Sequence, residues 1–151
     1  MESKVKCNVQ IRNTKGELRW EGHNMTVAAG LDLLILLLAQ QAGVTTYSGL
    51  NYCAIGTSSV GPDSSQTELV SEIGRNQFSS PIVVSGNQLS TQTFFPAASC
   101  SVVIQELGIF AMATGAVNSG TMYARAMALY DNSSLAEDLI VSWSLAIYSA
   151  D

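Results

Sequence analysis

Charge is scarce in this chain, and so are the side chains from which most catalytic and metal sites are built. Only 13% of the 151 residues are charged, against roughly 25% in a typical soluble domain, while 47% are hydrophobic. Much of the surface must then be Ser, Thr, Asn, Gln and Gly. Beyond Arg19 the only cations are Arg75 and Arg125. The first 20 residues carry Lys4, Lys6, Arg12, Lys15 and Arg19 against two acids, a balance of +3, which leaves −8 on the remainder and −5 in total. An acidic body without a Lys/Arg stripe repels phosphates, so no nucleic-acid partner is expected. The basic opening segment reads as a solvated strand face, the alternative being contact with an acidic partner surface.

There is one histidine, His23, in the turn-like stretch Glu21-Gly-His-Asn24. A lone His with no clustered Cys and no HExxH spacing leaves zinc or iron without ligands, so no metal and no cofactor is expected. A serine nucleophile lacks both its base and a GxSxG elbow. Gly56-Thr-Ser-Ser-Val-Gly61 follows a strand pattern but has no Lys and no helix after it, so it fails as a phosphate loop. Glu68, Glu72 and Glu106 lie among apolar residues, and sequence cannot bring two of them to the separation glycoside hydrolysis requires. Ion pairing with Arg75 or Arg125 is the more natural use. The chain is therefore read as no enzyme.

Cys7, Cys53 and Cys100 are odd in number and far apart. Each sits among alternating apolar residues and reads as a small buried hydrophobe, the alternative being a disulfide or intersubunit bridge. The opening Met1-Glu-Ser-Lys4 shows no secretory apolar stretch, and Leu31 to Ala39, interrupted by Asp32, is far short of the roughly 20 residues of a membrane span. No membrane association is expected. Repeats and coiled-coil heptads are also absent.

What is present is periodicity. Val5, Cys7, Val9 and Ile11 alternate with Lys6, Asn8, Gln10 and Arg12, the pattern of a half-buried strand. A turn at Asn13-Thr-Lys-Gly16 and a returning strand with Leu18 and Trp20 on one face complete a hairpin over 4–20. An apolar helix is expected over about 27–42, with Thr26 as its cap and Gly43 at its end. Leu33 to Leu38 run apolar side chains around it, so Leu33, Leu34, Leu37 and Leu38 are candidate interface residues.

The remaining strands fall within 51–148: Tyr52 to Ile55, Ile73 to Val84, Gln88 to Phe95, Val102 to Met112, Met122 to Leu129 and Leu139 to Tyr148. A loop at 56–65 and turns at 85–87, 114–120 and 131–134 separate them. Seven or eight short strands with regular turns give a mainly β fold, an antiparallel β-sandwich with one helix near the N-terminus, as a single domain over 1–151. In the last strand Leu139, Val141, Trp143, Leu145 and Ile147 share one face. Trp143 is therefore expected in the core with Val141 and Leu145.

Several segments, taken in order, resemble a family of small tailed-bacteriophage virion proteins encoded beside capsid, tail and fibre genes. They are Asn24 with Ala29-Gly30-Leu31, Tyr52-Cys-Ala-Ile-Gly-Thr57 before a Ser/Pro loop, Thr67-Glu-Leu-Val-Ser-Glu72 with Arg75, Glu106-Leu-Gly-Ile-Phe110, Gly120-Thr-Met-Tyr-Ala-Arg125 and Leu139-Ile-Val-Ser-Trp-Ser-Leu145. The three cysteines and the Leu33 to Leu38 run depart from the pattern. The resemblance implies a virion structural protein made in the host cytoplasm, with other virion proteins as partners. Glu72, Arg75, Glu106, Arg125 and Trp143 are then framework residues, and Arg125 is expected to pair with Glu106 or Glu72. Low surface charge and a compact domain suit a capsid decoration (cement) protein on the major capsid protein lattice, as a homo-oligomer. The alternatives are a tail, collar or baseplate accessory or fibre-anchoring protein, and a carbohydrate-binding host-attachment module. The last would call for clustered aromatics, and Tyr47, Tyr123, Tyr130 and Tyr148 are scattered.

Overall fold

The computed structural model describes residues 2–38 and 49–150. The opening alternation becomes β1 (Glu2–Asn13), with Cys7, Val9 and Ile11 buried and Lys6 and Asn8 exposed. The turn after it is held by Asn13, whose side-chain Oδ1 accepts from the N–H groups of Lys15 at 3.0 Å and Glu17 at 2.9 Å. Gly16 closes it at φ 84°, a conformation that favours glycine. The returning strand is β2 (Leu18–Thr26). Its ladder with β1 slips by one residue, so Ile11 faces Trp20 while Arg12 faces Leu18. That bulge separates two residues expected on one face: Trp20 packs inward and Leu18 is exposed. His23 lies within β2, opposite Asn8 and exposed, rather than in a turn.

Thr26 ends β2 opposite Ala124 instead of capping the helix, and α1 runs over Ala28–Leu38 with the Val27 carbonyl accepting from Gly30 and Leu31. The end expected at 39–43, and Tyr47, lie outside the described residues. Gly30 sits inside α1 because a Cβ there would lie 2.1 Å from the Tyr123 carbonyl oxygen; the helix rests on backbone at that point. The remaining elements are β3 (Leu50–Gly56), β4 (Glu72–Gln77), β5 (Val83–Ser85), β6 (Gln88–Phe95), a one-turn helix α2 (Ala97–Cys100), β7 (Val103–Ala111), β8 (Thr121–Asp131) and β9 (Leu139–Ala150). The short second helix, following Pro96, was not foreseen.

All nine strands join in one antiparallel sheet, ordered β4-β3-β7-β8-β2-β1-β9-β6-β5. The fold is mainly β and antiparallel as expected, but the pairing gives one curled sheet of nine rather than a sandwich of seven or eight. The reason is visible in β2. Its first part pairs with β1 and its last three residues, Asn24 to Thr26, pair with β8, so a single strand carries the sheet around the corner. The curl brings Cys7, Val9, Ile11, Val141 and Trp143 from one half against Cys53, Ile55, Leu107, Ile109 and Ala124 from the other, in one buried cluster.

The strand expected over 73–84 breaks at 78–82, where Pro81 stands, and its two pieces, β4 and β5, are the two edges of the sheet. Ser79 N–H donates to the Gln92 carbonyl at 2.8 Å, and the Asn76 amide donates to the Phe94 carbonyl at 2.8 Å. The end of β4 and the segment after it thus meet β6, which draws the two ends of the curled sheet together.

Candidate functional site

The charged residues inside the β4-β3-β7-β8 half form two ion pairs, both buried. Arg125 on β8 donates to Glu106 on β7 through Nε at 3.0 Å and Nη2 at 2.8 Å, and both residues are fully buried. The register allows this because Glu106 and Gly108 alternate onto one face of β7 and Arg125 lies beside Gly108. Glu106 also accepts three backbone N–H groups of the 57–71 loop, from Ser58 at 3.4 Å, Val70 at 3.0 Å and Ser71 at 2.6 Å. Arg125 completes the clasp on the Val60 carbonyl at 2.8 Å. The loop is therefore anchored at both ends by one carboxylate.

The second pair lies within β4. Glu72 and Arg75 are three residues apart, which in a regular strand puts them on opposite faces. The ladder with β3 is irregular there, with Glu72 opposite Gly56 and Arg75 opposite Ala54, so Ile73 is the extra residue and the two side chains return to one face. They meet in a fork, Nε to Oε1 at 2.6 Å and Nη2 to Oε2 at 2.7 Å. Arg75 also donates to the Ser119 carbonyl at 2.7 Å and lies 4.5 Å from the centre of the Phe110 ring. It holds the 112–120 turn as Arg125 holds the 57–71 loop.

Buried pairs of this kind add little net stability over an apolar substitute, because each ion gives up its water; what they fix is arrangement. Their environment is built for them. A Cβ on Gly56 would lie 2.5 Å from Glu106 Oε1, and one on Gly108 would lie 2.8 Å from the Phe110 ring and 3.0 Å from Leu69. Leu69 is the loop's apolar anchor, buried in a second small core with Val27, Ala54, Phe110 and Met122. Glu72, Arg75, Glu106 and Arg125 are thus engaged with one another and with loop backbone, and Glu68 lies in the exposed part of the loop.

Trp143 is fully buried, and its Nε1–H donates to Cys53 Sγ at 3.3 Å. Burial pushes the Cys7 and Cys53 thiols up to about 12, so neither carries a reactive thiolate near neutral pH. All three cysteines are free and buried.

Two concave surfaces stand out among the described residues. The first is apolar, a groove of about 380 Å³ bordered by Leu34, Leu37, Leu50, Val84, Leu89 and Ile147. Of the helix residues expected at an interface, Leu33 is only 2% exposed and belongs to the core, Leu34 and Leu37 pack partly against the core and line this groove, and the Leu38 side chain lies outside the described residues. The outward residues of α1 are instead Leu31, Ile35 and Leu36, with Ile35 64% exposed. The helical run alone does not reveal which side is covered, because apolar residues occur all round.

The second surface is a groove of about 410 Å³ on the outer side of β1, β9 and β6, of mixed lining, with Asn, Gln, Ser and Thr beside Pro81 and Val83. Sequence reasoning missed it, since its residues, Asn8 and Gln10 among them, read only as the solvated alternates of separate strands. The roles of Asn132, Arg19 and Glu137 were missed as well. Asn132 is buried and donates to the carbonyls of Cys100 and Glu137, and Arg19 donates to Glu137 at 2.7 and 2.8 Å. Among the described residues, no group of three or more His, Cys, Asp or Glu is placed to hold a metal. Comparison with family models, curated proteins and solved structures gives no match.

Proposed function

We propose that this protein is a non-enzymatic structural component of a tailed-phage particle, a decoration protein seated on the major capsid protein lattice as a homo-oligomer. The observation that carries the reading is the apolar surface formed by the outward side of α1 and the adjoining groove. Leu31, Ile35 and Leu36 are exposed together, and Val84, exposed on the β5–β6 hairpin, borders the adjoining groove. Contiguous apolar surface of this kind marks a place where another protein packs. The ordered sequence segments that resemble phage virion proteins supply the setting. The sandwich-like core, enclosed by two halves of the sheet, supplies a rigid body on which to mount the surface.

Quantitative mass spectrometry of purified particles tests the location. Hundreds of copies per particle are expected for a capsid decoration protein. A few tens or fewer would transfer the same surface to a tail, collar or baseplate accessory role, and absence from particles overturns the virion reading. Analytical ultracentrifugation of the isolated protein, with binding to empty capsids, tests the association. Ile35→Glu is expected to weaken assembly while leaving the fold intact. A strict monomer that binds neither capsids nor tails removes the basis of the proposal.

A further inference from the structure

We propose that the uncovered outer face of β1, β9 and β6 is a binding groove for a neutral oligosaccharide, a role separate from docking through the helix. The strand registers set its floor as two adjacent rows. Asn8, Ser144 and Ser90 stand side by side in one row, and Gln10, Ser142 and Gln92 in the next. Ser80, Pro81 and Val83, where the chain crosses from β4 to β5, form one wall of the cavity of about 410 Å³.

The chemistry of this lining is selective. It contains hydroxyls and amides and no Asp, Glu, Lys, Arg or His. An anionic or cationic ligand finds no countercharge on the floor, and an apolar ligand would strip water from amides without replacing its hydrogen bonds. A neutral polyol satisfies both conditions. Among the described residues, Asn8, Ser90, Gln92 and Ser142 make no side-chain hydrogen bond within the chain, so their donors and acceptors are available. Gln10 and Ser144 are already oriented, Gln10 by Glu21 and Arg12 and Ser144 by Gln88. Strands about 4.8 Å apart present these groups at intervals comparable to the hydroxyls of a sugar ring. One register step beyond Gln92, on the same side of the sheet, Phe94 is 39% exposed and paired with Ile140. It offers an apolar ring at the groove's end for the C–H face of a sugar. A protein partner is the poorer fit, because Trp143 in the lining is fully buried and Pro81 and Val83 are the apolar side chains it exposes as anchors.

The test uses the full chain on a microarray of neutral and anionic oligosaccharides, followed by calorimetry with the best neutral binder. Binding to neutral glycans is expected. Gln92→Ala and Asn8→Ala, both at exposed positions, are each expected to weaken it about tenfold with unchanged melting. Ser142→Trp, which fills the floor, is expected to abolish it, and Ile35→Glu on the helix is expected to leave it unchanged. The proposal is overturned if no neutral glycan binds, if only anionic glycans bind, or if binding survives both Gln92→Ala and Ser142→Trp. Particle copy number is independent of all these readouts, so failure here is distinct from failure of the virion reading.

Discussion

On the outer side of the β4-β3-β7-β8 half, Ala54, Gly56 and Gly108 clear space for two buried ion pairs, held to the 57–71 loop and the 112–120 turn respectively. On the same side of β1, β9 and β6, Asn8, Gln10, Ser142, Ser144 and Gln92 stand in an open groove. Both halves turn an apolar face to the same core, so the core does not distinguish them. The difference lies in what each does with its second face. Where small residues remove side-chain bulk, a loop descends and must be fixed by strong directional bonds. Where neutral polar residues keep the face hydrated, no cover is required and the surface is left free to bind.

The largest effect is expected where both halves meet. Trp143→Ala empties a fully buried site and should cost about 3 to 5 kcal/mol, enough to threaten a marginal domain. Denaturant titration checks this, and near-wild-type stability would show that the two faces are not held by the shared core. Next comes Glu106→Gln, which leaves Arg125 buried beside a neutral amide at a cost of up to about 3 to 5 kcal/mol. Replacing both partners by apolar residues of similar volume should recover much of that loss. Limited proteolysis should nonetheless show faster cutting within 57–71 in the double variant, separating the pair's role in loop placement from its role in stability. Gly56→Ala forces a methyl toward Glu106 Oε1 and the Ser71 carbonyl, and should cost about 1 to 3 kcal/mol. Gly86→Ala, by contrast, meets no nearby atom and tests only its positive φ, so it should cost less.

The smallest effect concerns the half-exposed Arg19–Glu137 pair near the first turn. The Arg19 guanidinium, and then the Asn13 amide, hold the Glu137 carboxyl below the usual glutamate range. Because the folded value is depressed, the stabilisation is present above about pH 4.3, the ordinary glutamate value, and is lost as pH falls through the folded value. Melting temperature followed from about pH 5 downward should fall less steeply in Arg19→Met than in the parent protein. Identical slopes would exclude the pair as a contributor.

Strand identity was legible where alternation is clean. β6 occupies the expected 88–95, and Leu139, Val141, Trp143 and Leu145 of β9 are all buried. The hairpin was legible too, because its turn residues are strong local signals. What escaped were the slips: the bulges at Arg19 and Ile73 each move side chains to the other face, and a period-two pattern carries no mark of an inserted residue. That Arg125 would pair with Glu106 or Glu72 followed from the scarcity of cations, and the β7–β8 register decides for Glu106. That Glu106 would also bind loop amides did not, since backbone partners have no sequence signature. The polar groove was hidden for a related reason, as Ser, Asn and Gln at alternate positions read as ordinary solvated faces until neighbouring strands are placed beside one another.

The register of β1 with β9 has a consequence in time. Glu2 lies opposite Ala150 and Asn13 opposite Leu139, so the earliest strand is completed by the latest, across almost the whole chain. During synthesis, at roughly 5 to 20 residues per second, β1 emerges well before its β9 partner exists. Its hairpin with β2 can form, but its other edge stays open until residues 139–150 arrive. Pairings this distant close slowly. This edge of the sheet is thus expected to close only once residues 139–150 have emerged, and until then a chaperone or a neighbouring nascent chain can reach it.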